Sequence, residues 1–81
     1  KNKVELKPGM NPDDLIEKLK MKFSEYNLNT VDGLKIDFES EWVHLRKSNT
    51  EPIIRIYTES RTSDSAMALA IRFENELKAL I

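Results

Sequence analysis

The middle of the chain alternates between apolar and polar residues. Residues Leu34–Phe38 read apolar, charged, apolar, charged, apolar, which is the period-two pattern of a strand with one buried face. Strand-like runs follow at Trp42–Arg46 and Ile53–Glu59. The connections between them are short, so neighbouring strands are expected to pair antiparallel. This pairing constrains the fold more than any other feature of the sequence.

A first helix is predicted before these strands. Asn11 is suited to the N-cap and Pro12 to the first helical position. The pattern continues to about Tyr26, after which Asn27–Asn29 is expected to be the exit of the helix. One apolar stripe at helical spacing comprises Leu15, Ile16, Leu19, Phe23 and Tyr26.

A second helix is predicted after the strands. Its start is marked by Thr62-Ser63-Asp64-Ser65, in which hydroxyl side chains can cap the helix and Asp64 lies in the first turn. The expected buried stripe is Ala66, Leu69, Ala70, Phe73, Leu77 and Leu80, with Met67 and Ile71 beside it. Lys3–Lys7 also alternates and is interpreted as a short edge strand.

These elements predict an α+β fold: a two-layer sandwich with an antiparallel sheet of about four strands and two helices on one face. Period two sorts the strand residues between the two faces of the sheet. Facing the helices are Leu34, Ile36, Phe38, Val43, Leu45, Ile54 and Ile56. Facing away, on a mixed polar and aromatic open face, are Lys35, Asp37, Trp42, His44, Arg46, Arg55 and Tyr57.

Length and charge restrict the function. The 81 residues are expected to form a single domain, residues 1–81. The net charge of -1 argues against a nucleic-acid partner, which usually requires a basic excess. No apolar run approaches the roughly 18 residues that a membrane span needs. The chain has no cysteine, which excludes disulfides and thiolate metal sites.

The loop between the second and third strands carries the most suggestive chemistry. Arg46 is followed by Ser48, Asn49 and Thr50, and Arg55 points to the same face as Arg46. A guanidinium grips two phosphate oxygens in a bidentate fork, and hydroxyls, an amide and turn N–H groups can add neutral donors. The loop is therefore a candidate phosphate site. The alternative interpretation is structural. Short polar side chains such as those of Ser48, Asn49 and Thr50 commonly bond to their own backbone in turns, and Arg46 with Glu51 could form a surface ion pair of little energetic value.

The stretch Trp42–Glu59 resembles the C-terminal domain of the α-D-phosphohexomutases, which include phosphoglucomutase, phosphomannomutase and phosphoglucosamine mutase. Members carry an Arg-x-Ser-Asn/Gly-Thr-Glu-Pro loop and then a strand ending in Arg-x-Tyr-x-Glu. Residues Asp32–Lys35 resemble the family's Asp-Gly-hydrophobic-Lys strand. Asn49, where many members have Gly, is more similar to the phosphoglucomutase/phosphomannomutase group. The resemblance spans nearly the whole chain and implies a TATA-binding-protein-like fold.

This resemblance implies that Arg46, Ser48, Asn49 and Thr50 hold the non-reacting phosphate of a hexose phosphate, glucose or mannose phosphate. Arg55 matches a recurrent family arginine. The implied reaction moves a phosphoryl group between the 1- and 6-positions. It requires a phosphoserine and Mg²⁺, both expected on other domains of a larger cytoplasmic enzyme. The chain itself is expected to contain no cofactor or metal site and not to catalyse alone, and its partners would be the sugar phosphate and those other domains.

Other candidate sites have simpler explanations. His44 is the only histidine and lacks an accompanying nucleophile or metal cluster. Asp13 and Asp14 are explained by the positive end of a helix dipole better than by a metal. Trp42 and Tyr57 could stack on bases, but packing explains them better without a basic groove. The alternative function is a non-catalytic interaction module whose open sheet face docks a partner protein.

Overall fold

The computed structural model describes residues 2–7, 9–48 and 51–80. Within them the strands form one sheet in the order β1-β5-β4-β3-β2, with every neighbouring pair antiparallel. The predicted α+β class is confirmed, and β1 lies at an edge as predicted. The elements, in chain order, are β1 (Asn2–Glu5), α1 (Pro12–Lys22), β2 (Asn27–Asn29), β3 (Leu34–Asp37), β4 (Trp42–Lys47), β5 (Ile53–Glu59) and α2 (Ser63–Leu80).

One face of the sheet is covered by both helices. α2 packs on β5 and β1, and α1 packs on β4 and against α2. The sorting of side chains by period two is confirmed, because the strand residues assigned to the covered face lie in the core. The fully buried ones are Leu34, Ile36, Val43, Leu45, Ile54 and Ile56, and Phe38 is half-buried against them.

Helix α2 begins with a reciprocal cap. The Ser65 N–H donates to Thr62 Oγ1 at 3.0 Å, and the Thr62 N–H donates to Ser65 Oγ at 3.2 Å, which satisfies two N–H groups at the helix start. The predicted stripe is confirmed at its centre and half-buried at its ends, whereas Met67 and Ile71 are exposed. Neither helix of the described residues is long and apolar enough to cross a membrane.

Helix α1 starts as predicted but ends earlier. The Asp13 N–H donates to the side chain of Asn11 at 2.9 Å, so Asn11 is the N-cap. The helix ends at Lys22 with Phe23 as its C-cap, and the Tyr26 N–H bonds back to the Phe23 carbonyl at 3.0 Å. Tyr26 therefore lies outside the helix and is 40% exposed rather than buried.

The residues predicted to be the exit of α1 form a strand instead. Leu28 pairs with Ile36, and its neighbours in β2 pair with Asp37 and Lys35 of β3. The sheet described here has five strands rather than about four. The sequence concealed β2 because two of its three residues are asparagines, which are depleted in strands. Pairing with β3 and the packing of Leu28 on the core favour the extended conformation.

Candidate functional site

Two arginines meet on the open face next to the β4–β5 loop. Arg46 and Arg55 are direct cross-strand partners, whereas the parity of the two strands had predicted only that they share a face. Their side chains are 48% and 46% exposed. Like charges placed directly opposite each other on neighbouring strands are destabilising. The pair is therefore a place where an anion would be favourable.

Each arginine has a carboxylate partner in this structure. Arg46 Nη2 lies 3.1 Å from Asp32 Oδ2, and Arg55 Nη2 lies 3.8 Å from Glu51 Oε1. The alternative interpretation of the sequence paired Glu51 with Arg46, but in the structure Glu51 pairs with Arg55. All four side chains are 46–63% exposed. Such exposed pairs contribute only about 0 to 1 kcal/mol.

The two ends of the loop are held by backbone hydrogen bonds. The Ser48 N–H donates to the Ile53 carbonyl at 3.1 Å, and the Ile53 N–H donates to the Glu51 carbonyl at 2.8 Å. The Leu6 N–H, just beyond β1, donates to the Pro52 carbonyl at 2.7 Å. The edge strand therefore anchors the exit of the loop, and the loop starts and ends at fixed points of the sheet.

Part of the predicted site lies inside this loop. Ser48 Oγ accepts a hydrogen bond from the Glu51 N–H at 3.3 Å, a turn contact of the kind that short polar side chains commonly make. The predicted ligands Asn49 and Thr50 lie outside the described residues.

The turn before β3 lies against the end of β4. Gly33 has φ +73°, and an ideal Cβ there would lie 2.2 Å from the Leu45 carbonyl oxygen. The His44 Nε2 donates to the Asp32 carbonyl oxygen. The turn at Asp32-Gly33 is therefore fixed to β4 through its backbone, and this places the Asp32 carboxylate beside Arg46. The same contact gives His44 a structural role.

A cleft lies between α1 and the end of β4. Its volume is about 350 Å³, and its lining includes Lys20, Asp32, Arg46 and Lys47. Lys47 Nζ contacts Asp13 Oδ2 at 2.9 Å, which ties the base of the loop to the first turn of α1. Arg46 and Lys47 therefore have different partners, Asp32 on the turn and Asp13 on the helix.

The rest of the open face is occupied by polar contacts of aromatic side chains. The Trp42 indole N–H donates to Glu59 at 3.0 Å, and Lys35 Nζ lies 5.0 Å from the centroid of the Trp42 ring. The rings of His44 and Tyr57 are 6.4 Å apart. Among the described residues, the exposed large hydrophobic side chains do not include Trp42 or Tyr57. An interaction module that docks a partner protein on the open face would be favoured by an apolar patch around these two residues.

Sequence reasoning did not identify Asp32 as a partner of Arg46. The signal lies in the register of the β3–β4 hairpin, because Leu34 pairs with Leu45. Extending that register by one residue places Gly33 opposite Arg46, with Asp32 next to it. No comparable sequence signal indicated the ion pair between Asp13 on α1 and Lys47 on β4. Within residues 2–7, 9–48 and 51–80, no group of three or more His, Cys, Asp or Glu is placed to hold a metal ion.

The facing arginines lie where β4 and β5 adjoin the loop between them, and comparison with known proteins gives the family. Residues 3–76 match the family described as phosphoglucomutase/phosphomannomutase, C-terminal domain. The chain belongs to this family, as its resemblance to the phosphohexomutases implied.

The relatives are mutases of hexose phosphates. A phosphoglucosamine/phosphogalactosamine mutase of Sulfurisphaera tokodaii is 39% identical over 83 aligned positions, covering 100% of this chain and 17% of that protein. A phosphomannomutase/phosphoglucomutase of Pseudomonas aeruginosa PAO1 is 32% identical over 59 positions, covering 73% and 13%. A phosphoglucomutase/phosphomannomutase of Thermococcus kodakarensis is 49% identical over 41 positions, covering 51% and 9%. The chain therefore spans less than a fifth of each of these relatives.

Proposed function

We propose that the β4–β5 loop binds the phosphate group of a hexose phosphate, as the substrate-phosphate site of a phosphohexomutase. Arg46 would supply a bidentate, charge-assisted grip. Ser48, Asn49 and Thr50 would add neutral donors from the loop, and Arg55 a second positive charge. The site would bind the phosphate that does not react. Its binding energy would orient the reacting end of the sugar.

The observation that carries this proposal is the direct pairing of Arg46 with Arg55 at the mouth of the loop. Two guanidinium groups opposite each other repel, and an oxyanion between them removes that repulsion while gaining charge-assisted hydrogen bonds. Both side chains are about half exposed, so a ligand can reach them. Each carboxylate contacts one Nη2 of its arginine, and a guanidinium has five N–H donors, so an ion pair and a ligand can share it.

The remaining catalytic parts would lie in other domains of a longer, cytoplasmic enzyme. A phosphoserine there would exchange phosphoryl groups with the 1- and 6-positions of the hexose, and Mg²⁺ would assist. The sugar would be glucose or mannose phosphate, although the relatives also include mutases named for glucosamine phosphate. In this proposal the chain positions substrate and does not catalyse by itself.

The test is a titration of the 81-residue chain with inorganic phosphate, followed by the backbone amide signals in NMR spectra. Saturable shifts are expected at the amides of 48–51, with a dissociation constant on the order of millimolar, because most substrate contacts would lie on other domains. Arg46→Ala should remove these shifts and leave the remaining spectrum unchanged, since Arg46 is exposed and outside the core.

Lys47→Ala is the matched control for this experiment. It removes the same charge from the adjacent residue, but Lys47 is engaged by Asp13 on α1. It should retain most of the phosphate response. Equal losses in both variants would reduce the site to general electrostatic attraction, and the absence of saturable shifts in the unmodified chain would refute the proposal.

A further inference from the structure

Simple electrostatics would not favour a carboxylate such as that of Asp32 in an anion site. This carboxylate lies 3.1 Å from the guanidinium that is proposed to bind phosphate, and a negative charge there should repel a second anion. Yet the turn that carries Asp32 is held in place by two contacts that do not involve its side chain. Gly33 packs against the Leu45 carbonyl, and His44 bonds to the Asp32 carbonyl.

The direction of the Asp32 contact offers an explanation. Asp32 precedes β3, which flanks β4 on the side opposite β5. The carboxylate therefore draws the Arg46 side chain away from Arg55, the like charge that faces it across the strands. Asp32 engages Arg46 through Nη2, one end of a guanidinium that has five N–H donors. A guanidinium held at one edge can still present other donors to a ligand.

We propose that Asp32 is a positioning residue that holds Arg46 in its phosphate-binding orientation before the ligand arrives. Arginine loses considerable rotamer entropy when a ligand immobilises it. A side chain already held by Asp32 has lost part of that freedom in advance, so less is lost on binding. The inference rests on the proposed function, since the ligand it concerns is the phosphate at Arg46.

This proposal predicts an effect of opposite sign from simple charge repulsion. If Asp32 only competes with phosphate, Asp32→Ala should tighten phosphate binding. If Asp32 positions Arg46, Asp32→Ala should weaken binding by about twofold to fivefold, because an exposed ion pair can offset only part of the cost of ordering one long side chain. Asp32→Asn keeps an oxygen acceptor for the guanidinium without the charge, and its affinity should fall between those of the unmodified chain and Asp32→Ala.

The control is Asp37→Ala. Asp37 lies on the same open face, on β3, and pairs with Lys35 at 3.6 Å. The substitution removes the same charge without touching Arg46, so phosphate affinity should stay equal or rise slightly. All four proteins are titrated with inorganic phosphate while the loop amides are followed by NMR. Unchanged amide spectra elsewhere show that the fold is retained, which is expected because the backbone contacts of the turn remain.

A second measurement needs no ligand. The Arg46 Nε–Hε signal, assigned by its loss in Arg46→Ala, reports the mobility of the guanidinium through ¹⁵N relaxation. The signal should be more ordered in the unmodified chain and in Asp37→Ala than in Asp32→Ala. Equal order in these three proteins, or phosphate affinity in Asp32→Ala that equals or exceeds that of the unmodified chain, overturns the inference.

The two measurements also separate the inference from the proposed function. If the unmodified chain shows no phosphate response, the proposed function fails. The relaxation data then decide alone whether Asp32 orients Arg46. If phosphate binds and Asp32→Ala does not weaken it, the proposed function stands and the positioning role is refuted.

Discussion

The two faces of the sheet are built from alternate residues of the same strands, yet they are organised by different physics. On the covered face, Leu34, Ile36 and Leu45 are fully buried beneath the helices, and burial of apolar surface determines their place. On the open face, Arg46 and Arg55 are about half exposed and take carboxylate partners from outside their own strands. The covered face can supply stability, while the open face remains available for binding.

This difference has an energetic consequence. A buried aliphatic or aromatic side chain contributes roughly 1.5 to 3 kcal/mol through burial alone, whereas an exposed ion pair contributes about 0 to 1 kcal/mol. Substitutions on the covered face should therefore change the free energy of unfolding. Substitutions of the open-face arginines should change phosphate binding with little effect on stability.

We expect the greatest loss of stability from Phe73→Ala, because Phe73 is fully buried on α2. Its ring lies 5.2 Å from that of Phe23 and 6.2 Å from that of Phe38, so Phe73→Ala would leave a cavity where both helices meet the sheet. We expect a loss of about 3 to 5 kcal/mol in the free energy of unfolding, measured in urea. A chain of this size has only about 4 to 12 kcal/mol in total.

Met67→Ala is the control on the same helix. Met67 is 62% exposed, so its truncation should change stability by less than about 0.5 kcal/mol. Similar losses for Phe73→Ala and Met67→Ala would contradict the assignment of α2's buried face.

The next effect concerns Gly33, which precedes β3 and packs against the backbone of β4. Gly33→Ala imposes a left-handed conformation on an alanine and drives its Cβ into the Leu45 carbonyl. Strained backbone of this kind costs about 1 to 3 kcal/mol, and the collision adds to it. The urea midpoint should fall, and the phosphate response should weaken because the turn carrying Asp32 moves.

Gly9 provides the comparison for this substitution. It also has a positive φ, +89°, but nothing lies within 4 Å of an ideal Cβ there. Gly9→Ala should cost only the conformational part and leave phosphate binding intact. If Gly9→Ala is as harmful as Gly33→Ala, the close approach to Leu45 is not what requires glycine at position 33.

The smallest expected effect is that of Arg55→Ala. The change removes a weak pair with Glu51 but also relieves repulsion with Arg46, so the free energy of unfolding should change by less than about 0.5 kcal/mol. Phosphate affinity in the same NMR titration should fall by about twofold to fivefold, less than with Arg46→Ala, because a nearby charge contributes less than a bidentate grip. A larger loss with Arg55→Ala than with Arg46→Ala would reverse the assigned roles.

The sequence predicted the covered face better than the open one. Burial follows the period of the strand, so the positions of Val43, Leu45 and Ile56 could be read directly from the alternation. The short strand β2 could not, because Leu28 is its single apolar residue and its flanking asparagines are typical of loops. Tyr26 continued the helical spacing of α1, although the chain had already left the helix at Phe23.

For the candidate site, the sequence predicted that Arg46 and Arg55 share a face, but neither their direct pairing nor their ion-pair partners. The sequence suggested Glu51, a near neighbour, as an ion-pair partner of Arg46, whereas the structure pairs Arg46 with Asp32 across the β3–β4 hairpin. Contacts of this kind depend on the register of the strands and on the direction of long side chains, and the residue types alone indicate neither. The roles of Asn49 and Thr50 stay predictions because these residues lie outside the described part of the chain.

A crystal structure of this chain grown with phosphate, compared with one grown without it, would show directly whether the β4–β5 loop binds the anion. We expect a phosphate within hydrogen-bond distance of the Arg46 guanidinium and the loop that follows it, with Asp32 still contacting Arg46 from the other edge. A loop that stays empty at saturating phosphate, with Arg46 bound only to Asp32, would contradict this expectation.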